Sequence, residues 1–188
     1  MYKKFYLFTI PIILILCTFY ITGCTEKEKK KEYKTPKKET TFIHFYPTNK
    51  DTQKLTKQQT IYLPVYSHVY TSENLHEPMG ITLSIRNTDF INYLYIKEIV
   101  YYNTYGDLID SYIKKPHILK PMASIDFVVD LRDMRGGSGA NFIIKWAGLE
   151  NITIPIIQAV MVNNSGNRAF SFITNGHILH KTPKIKGF

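Results

Sequence analysis

From residue 61 onward, apolar and polar positions alternate with the period of two that marks strands buried on one face. Ile61, Leu63, Val65 and Val69 share one side of the first such segment, and Tyr62, Tyr66, His68 and Tyr70 share the other. Pro64 lacks an amide hydrogen, which restricts this strand to an edge or a bulge. Ile81, Leu83 and Ile85 against Thr82, Ser84 and Arg86 give the cleanest half-buried strand. Segments 93–103 and 108–113 read as two strands joined by a turn at Gly106-Asp107, and the Lys97-Glu98 pair predicts a bulge in the first. Ala123, Ile125, Phe127, Val129 and Leu131 then face one way, with Ser124, Asp126 and Asp130 facing the other. Phe142, Ile144 and Trp146 form one strand face, with Trp146 expected as the central core aromatic. Segment 154–162 is a further strand, and 169–174 continues through Asn175-Gly176 into 177–179. Asn-Gly between two such runs predicts a hairpin.

About seven to nine short strands without an amphipathic helix among them predict an all-β, antiparallel, immunoglobulin-like β-sandwich over residues 60–182. A closed barrel satisfies the same pattern. There is no βαβ unit and no internal repeat.

The N-terminal stretch is patterned differently. Lys3 and Lys4 precede an apolar and aromatic run, 5–20, interrupted by Pro11 and closing on Thr22 and Gly23 directly before Cys24. This resembles a bacterial lipoprotein signal peptide, 1–23, in which a diacylglyceryl group is added to the cysteine sulfur and the chain is cut before it. Ile21 stands where leucine is commonest. The alternative is an uncleaved anchor, for which the run is barely long enough, because a spanning helix needs about 20 apolar residues. Thr25 in place of Asp after the cysteine points to outer-membrane sorting if the cell has two membranes. Residues 24–59 read as a Lys-rich tether of about 35 residues with a typical end-to-end distance of about 30–35 Å. Its one apolar patch, 42–46 (FIHFY), is either a short docking strand or an aromatic cluster near the membrane. Residues 183–188 form a tail.

Of the 188 residues, about 130 then remain for one core. The two cysteines, Cys17 and Cys24, lie in or at the end of the leader, so the domain carries neither a disulfide nor a thiolate metal site. The net charge of +9 is concentrated before the domain. Residues 26–57 hold ten Lys against five acids, whereas from Gln58 onward twelve basic residues face ten acidic ones. That distribution argues against nucleic acid, which calls for a basic stripe on the folded part, and favours a tether beside anionic headgroups.

The most unusual stretch of the domain is 132–141 (RDMRGGSGAN). Its glycines let backbone amides approach a ligand, and Arg132 and Arg135 are suited to clamping an anion, with Ser138 and Asn141 as further ligand-binding candidates. It is not a phosphate loop, because no Gly-Lys-Ser/Thr ending or helix follows, nor a nucleophile elbow, because Gly139 directly follows Ser138. The plainer alternative, and the favoured one, is a glycine crossover between sheets with Arg132 paired to Asp133. His44, His68, His76, His117, His177 and His180 show no metal-ligand spacing. A site pooled from distant strands, with Met122 or Met161, stays open. Tyr62, Tyr66 and Tyr70 either cover a second layer or present a sticky surface.

The runs 61–67 (IYLPVYS), 83–89 (LSIRNTD), 121–124 (PMAS), 136–142 (GGSGANF) with Trp146, 158–161 (QAVM) and 171–174 (SFIT) resemble the bacterial family catalogued as domain of unknown function 3124. The resemblance covers about residues 60–180 and implies a small exported or lipid-anchored protein, with one domain after a tether. It brings no activity, substrate or catalytic residue. The expectation is therefore a cell-envelope lipoprotein held to the membrane through Cys24, with no catalytic residues and no cofactor. It would bind an envelope protein, peptide or glycan; the alternative is a small anion or a metal.

Overall fold

Thirteen short strands occupy the described residues, 43–164 and 169–179, of a computed structural model. In chain order they are β1 (Phe45–Pro47), β2 (Lys57–Pro64), β3 (His68–Ser72), β4 (Leu75–Pro78), β5 (Gly80–Arg86), β6 (Leu94–Tyr102) and β7 (Leu108–Ser111). There follow β8 (His117–Leu119), β9 (Ser124–Val129), β10 (Asn141–Gly148), β11 (Ile156–Asn163), β12 (Phe170–Asn175) and β13 (His177–Ile178). The expected signal peptide 1–23, Cys24, the tether up to residue 42 and the tail 183–188 lie outside the described residues.

All pairings are antiparallel. One sheet runs β1-β8-β6-β10-β2-β13, with β7 also on β6; the second runs β12-β11-β5-β9; β3 and β4 pair with each other. Leu63, Ile96, Phe142, Ile144 and Trp146 of the first sheet share one buried cluster with Ile81, Leu83, Ile85, Ala159 and Met161 of the second. Each Leu, Ile, Phe or Met side chain among these contributes about 1.5–3 kcal/mol on burial. The fold is a two-sheet sandwich, as the alternation implied, with Trp146 fully buried at its centre. In its connectivity β2 pairs with β10 and β13, and β1 with β8, so neither of the first two strands pairs with the strand that follows it.

The bulge falls where the Lys97-Glu98 pair placed it. Lys145 of β10 faces Glu98 and Trp146 faces Ile96, so Lys97 has no partner across that ladder. The extra residue resets the alternation, burying Leu94 and Ile96 before it and Ile99 and Tyr101 after it. Pro64 is tolerated for a related reason. Val65 N donates to Ala140 O on the β10 side, so position 64 faces the other way, where its carbonyl accepts from Thr174 Oγ1 at 2.6 Å.

Of the two readings of the 42–46 patch, the structure has the short docking strand: Phe45 in β1 is buried, stacks on His117 at 4.6 Å and meets Phe127 edge-on at 6.1 Å. Leu55 packs with Tyr95 and Ala147 in a second small cluster. Asn175-Gly176 is no hairpin, since β12 pairs with β11 while β13 pairs with β2 in the other sheet. Gly176 N donates to Ile157 O, and a Cβ at that position would lie 2.5 Å from Ile61 Cγ2, so the glycine serves a close crossing. The segment from Ile61 to Tyr70 is not one strand either: it breaks between β2 and β3, where Ser67 N bonds to Gly137 O.

Candidate ligand-binding surface

The 132–141 loop leads from β9 in one sheet to β10 in the other. Asp130 and Asp133 each accept the backbone N–H two residues on, a turn geometry that draws the following arginine back onto the carboxylate. Arg132 Nε therefore bonds Asp130 at 3.0 Å, and Arg135 makes a bidentate pair with Asp133 at 2.6 and 2.8 Å. The pairing expected between Arg132 and Asp133 gives way to this spacing of two. Hydrogen bonds from the arginine side chains hold both carboxyls below their usual range and raise both guanidinium groups. An incoming anion has to compete with those carboxylates.

The glycine amides are engaged as well. Gly137 N donates to Ser67 Oγ at 2.8 Å and Gly139 N to Thr104 Oγ1 at 2.9 Å, while Thr104 N donates to Gly136 O at 2.8 Å. Ser138 and Asn141 are half-buried, and Asn141 opens β10 opposite Pro64 and Tyr102. An open depression of about 530 Å³ lies elsewhere, lined by Lys97, Glu98, Ser111, Ile113, Lys114 and Lys145, and takes in none of the four candidates.

Beside this loop stands a ribbon made of β3 and β4 alone. Pairing of Tyr70 with His76 brings three rings together, His68 to His76 at 4.8 Å, His68 to Tyr70 at 5.3 Å and Tyr70 to His76 at 6.1 Å. His68 Nδ1 is buried without a partner among the described residues, and burial, with the charge of His76, lowers the His68 pKa. The histidines are eight positions apart, and nothing short of the hairpin register links them. Of the tyrosines, Tyr66 covers Phe172 at 5.6 Å, whereas Tyr70 is 60% exposed. Among the described residues no group of three or more His, Cys, Asp or Glu is placed to hold a metal ion.

The other end of the sandwich is organised by Asn87 and Asp89, which pattern reading did not single out. Asn87 Nδ2 donates to the carbonyls of Asn92, Leu119 and Lys120, and its Oδ1 accepts from Asp89 N. Asp89 accepts from the amides of Asn92, Ile91 and Thr153 at 2.6, 2.9 and 2.8 Å. These backbone bonds, Asn92's first, hold its carboxyl well below the usual carboxylate range. One buried carboxylate thus fastens two loops.

Comparison with curated proteins finds no match. Among solved structures, the chain is similar to one described as Crystal Structure of Thermotoga maritima 1070, at 14% identity and a TM-score of 0.39, covering 63% of this chain and 92% of that one. A family model described as Protein of unknown function (DUF3124) matches residues 58–179. Spanning β2 to β13, that match shows that the chain belongs to this family.

Proposed function

We propose that the chain is an exported, lipid-anchored cell-envelope protein that works as a non-enzymatic interaction module. Its partner is a protein, peptide or glycan of the envelope, met on the β3–β4 ribbon and the adjoining 132–141 loop. Support for the anchor comes from the apolar run ending in Gly23-Cys24. The observation that carries the module reading is the ribbon: among the described residues its strands pair only with each other, and Tyr70 and Leu75 are 60% and 57% exposed on it. Unpaired edges beside exposed apolar side chains suit addition of a strand, and Tyr70 with its neighbouring rings suits stacking on a sugar.

The test is a pull-down of the intact lipoprotein from solubilised envelopes beside a Tyr70→Ala/Leu75→Ser variant and an Arg132→Ala/Arg135→Ala variant. Loss of one shared partner from the first variant supports the ribbon, and an unchanged partner set from both removes this surface from the account. The mass of the N-terminal peptide reads lipid at Cys24 separately. A second reading, binding of a divalent transition metal, is favoured by the close His68–His76 pair. It predicts that His76→Ala abolishes copper or zinc binding by the intact protein, and binding that survives the change counts against it.

A further inference from the structure

At the Asn87–Asp89 end of the sandwich, large apolar side chains stand in solvent on firmly tied loops. Phe90 and Ile91 are 81% and 79% exposed on the loop that Asp89 clamps. Met122, 58% exposed, follows Lys120 in a turn whose Met122 N donates to Asp89 O, and it holds a left-handed φ of 57°. Ile154, 50% exposed, is joined to the same loop through Thr88 Oγ1, which donates to the Ile154 carbonyl at 2.9 Å. Three loops thus present four apolar tips at one end, and none of the four is needed for the core.

The path of the chain says what lies near them. Lys120 N donates to His44 O, and Phe45 is level with Leu119 and through it with Leu94, so the polypeptide leading back to Cys24 joins the domain at this same end. The residues between Cys24 and Ile43 reach at most about 65 Å when fully extended. Lys57, whose Nζ donates to Ile152 O, and Lys120 add positive charge at the rim, against Glu150. Apolar tips with a basic rim suit the boundary between anionic headgroups and acyl chains.

We infer that this end of the sandwich, through Phe90, Ile91, Met122 and Ile154, rests in the headgroup–acyl boundary of the bilayer. The inference deepens the envelope-lipoprotein reading and rests on it for the position of the anchor. It turns the ribbon and the 132–141 loop away from the lipid, because they lie at the opposite ends of β2, β5 and β10.

Phe90→Trp, placed in the full-length protein in its membrane, tests this, with Tyr105→Trp as the control at the far end, where Tyr105 is 88% exposed. Trp146, fully buried, supplies a constant background from the unsubstituted protein. With acyl chains brominated at the depth of about 5–10 Å reached by interfacial side chains, emission from Trp at position 90 is expected to be blue-shifted and quenched, and that from position 105 to be neither. Red, unquenched emission from position 90 overturns the inference. Blue-shifted but unquenched emission also overturns it, since it places Phe90 against protein. The N-terminal peptide mass, read on the same sample, keeps failure of the lipid anchor distinguishable from failure of this contact.

Discussion

A methyl group separates glycine from alanine, and at position 136 there is no space for it. A Cβ there would lie 1.9 Å from Tyr101 Oη and 2.8 Å from its Cζ. That hydroxyl is buried without a partner among the described residues, and burial pushes its pKa up to about 12. Gly136→Ala is therefore expected to cost about 1–3 kcal/mol by overpacking. Tyr101→Phe is expected to be close to neutral, because it leaves no donor unpaired. Denaturant unfolding of the double variant should recover part of the loss, and strictly additive effects would mean that the two positions do not press on each other. The glycines were legible in the sequence; the ring and the hydroxyls that press on them, Tyr101 and Thr104, come from a distant strand and turn and were not. Asp89 makes the same point with charge. Its folded pKa lies below the ordinary 3.8, so its contribution to stability is complete above that value and disappears as pH falls through the folded value. Asp89→Asn, which sets an amide hydrogen against backbone donors, should lower the melting temperature at neutral pH. The gap should narrow below pH 3.8, and a gap independent of pH would deny the carboxylate its part.

Between residues and the whole, strands obey counting rules, and Lys97 shows how strict they are. Alternation from Leu94 and Ile96 would next turn Glu98 inward; the extra residue at 97 turns Ile99 and Tyr101 inward instead. Deleting Lys97 joins Ile96 to Glu98 and leaves Leu94, Ile96, Ile99 and Tyr101 on the inner face by plain alternation, so the deletion variant is expected to keep cooperative unfolding. Lys97→Ala keeps the count and should change stability by no more than about 0.5 kcal/mol. Urea titrations of both decide it: loss of cooperative unfolding in the deletion variant would mean that the strand needs the bend of the bulge itself and not only the inward count it sets. This bulge was legible because two charged residues interrupt an apolar run. Asn175-Gly176 misled for the opposite reason. The dipeptide states only that the chain can turn tightly, and the competition between pairing with β11 and pairing with β2 is settled by Gly176 packed against Ile61. The ribbon was hidden in a different way, for alternation through Val69 and Tyr70 continues unbroken from β2, and the break comes from Ser67 bonding to the glycine loop.

The limits of the whole domain turn on Phe45 and Leu55. Phe45 lies in the apolar patch 42–46, for which the sequence left a docking strand and a membrane-side cluster both open, and Leu55 is a single apolar residue in a Lys-rich stretch with no sustained period. Only the folded surface shows their receiving sites. Phe45 joins the main core beside His117 and Phe127, while Leu55 covers Tyr95 and Ala147 on the outer side of the larger sheet. Phe45→Ala should then cost about 3–5 kcal/mol and Leu55→Ala about 2–5 kcal/mol. Because the two belong to separate clusters, their effects should add to within about 0.5 kcal/mol in the double variant. Chemical denaturation of the three variants measures this, with an unchanged m-value showing that the same cooperative unit unfolds. A loss below about 1 kcal/mol at Phe45, within the range of an ordinary surface change, would return 43–59 to the tether. A full loss caps the chain available between the domain and the proposed anchor at Cys24 to the residues before Ile43, since a strand that is part of the core cannot pay out to lengthen it. The apolar tips at Phe90 and Ile91 then stand at the end of the domain from which at most about 65 Å of chain leads to the proposed anchor.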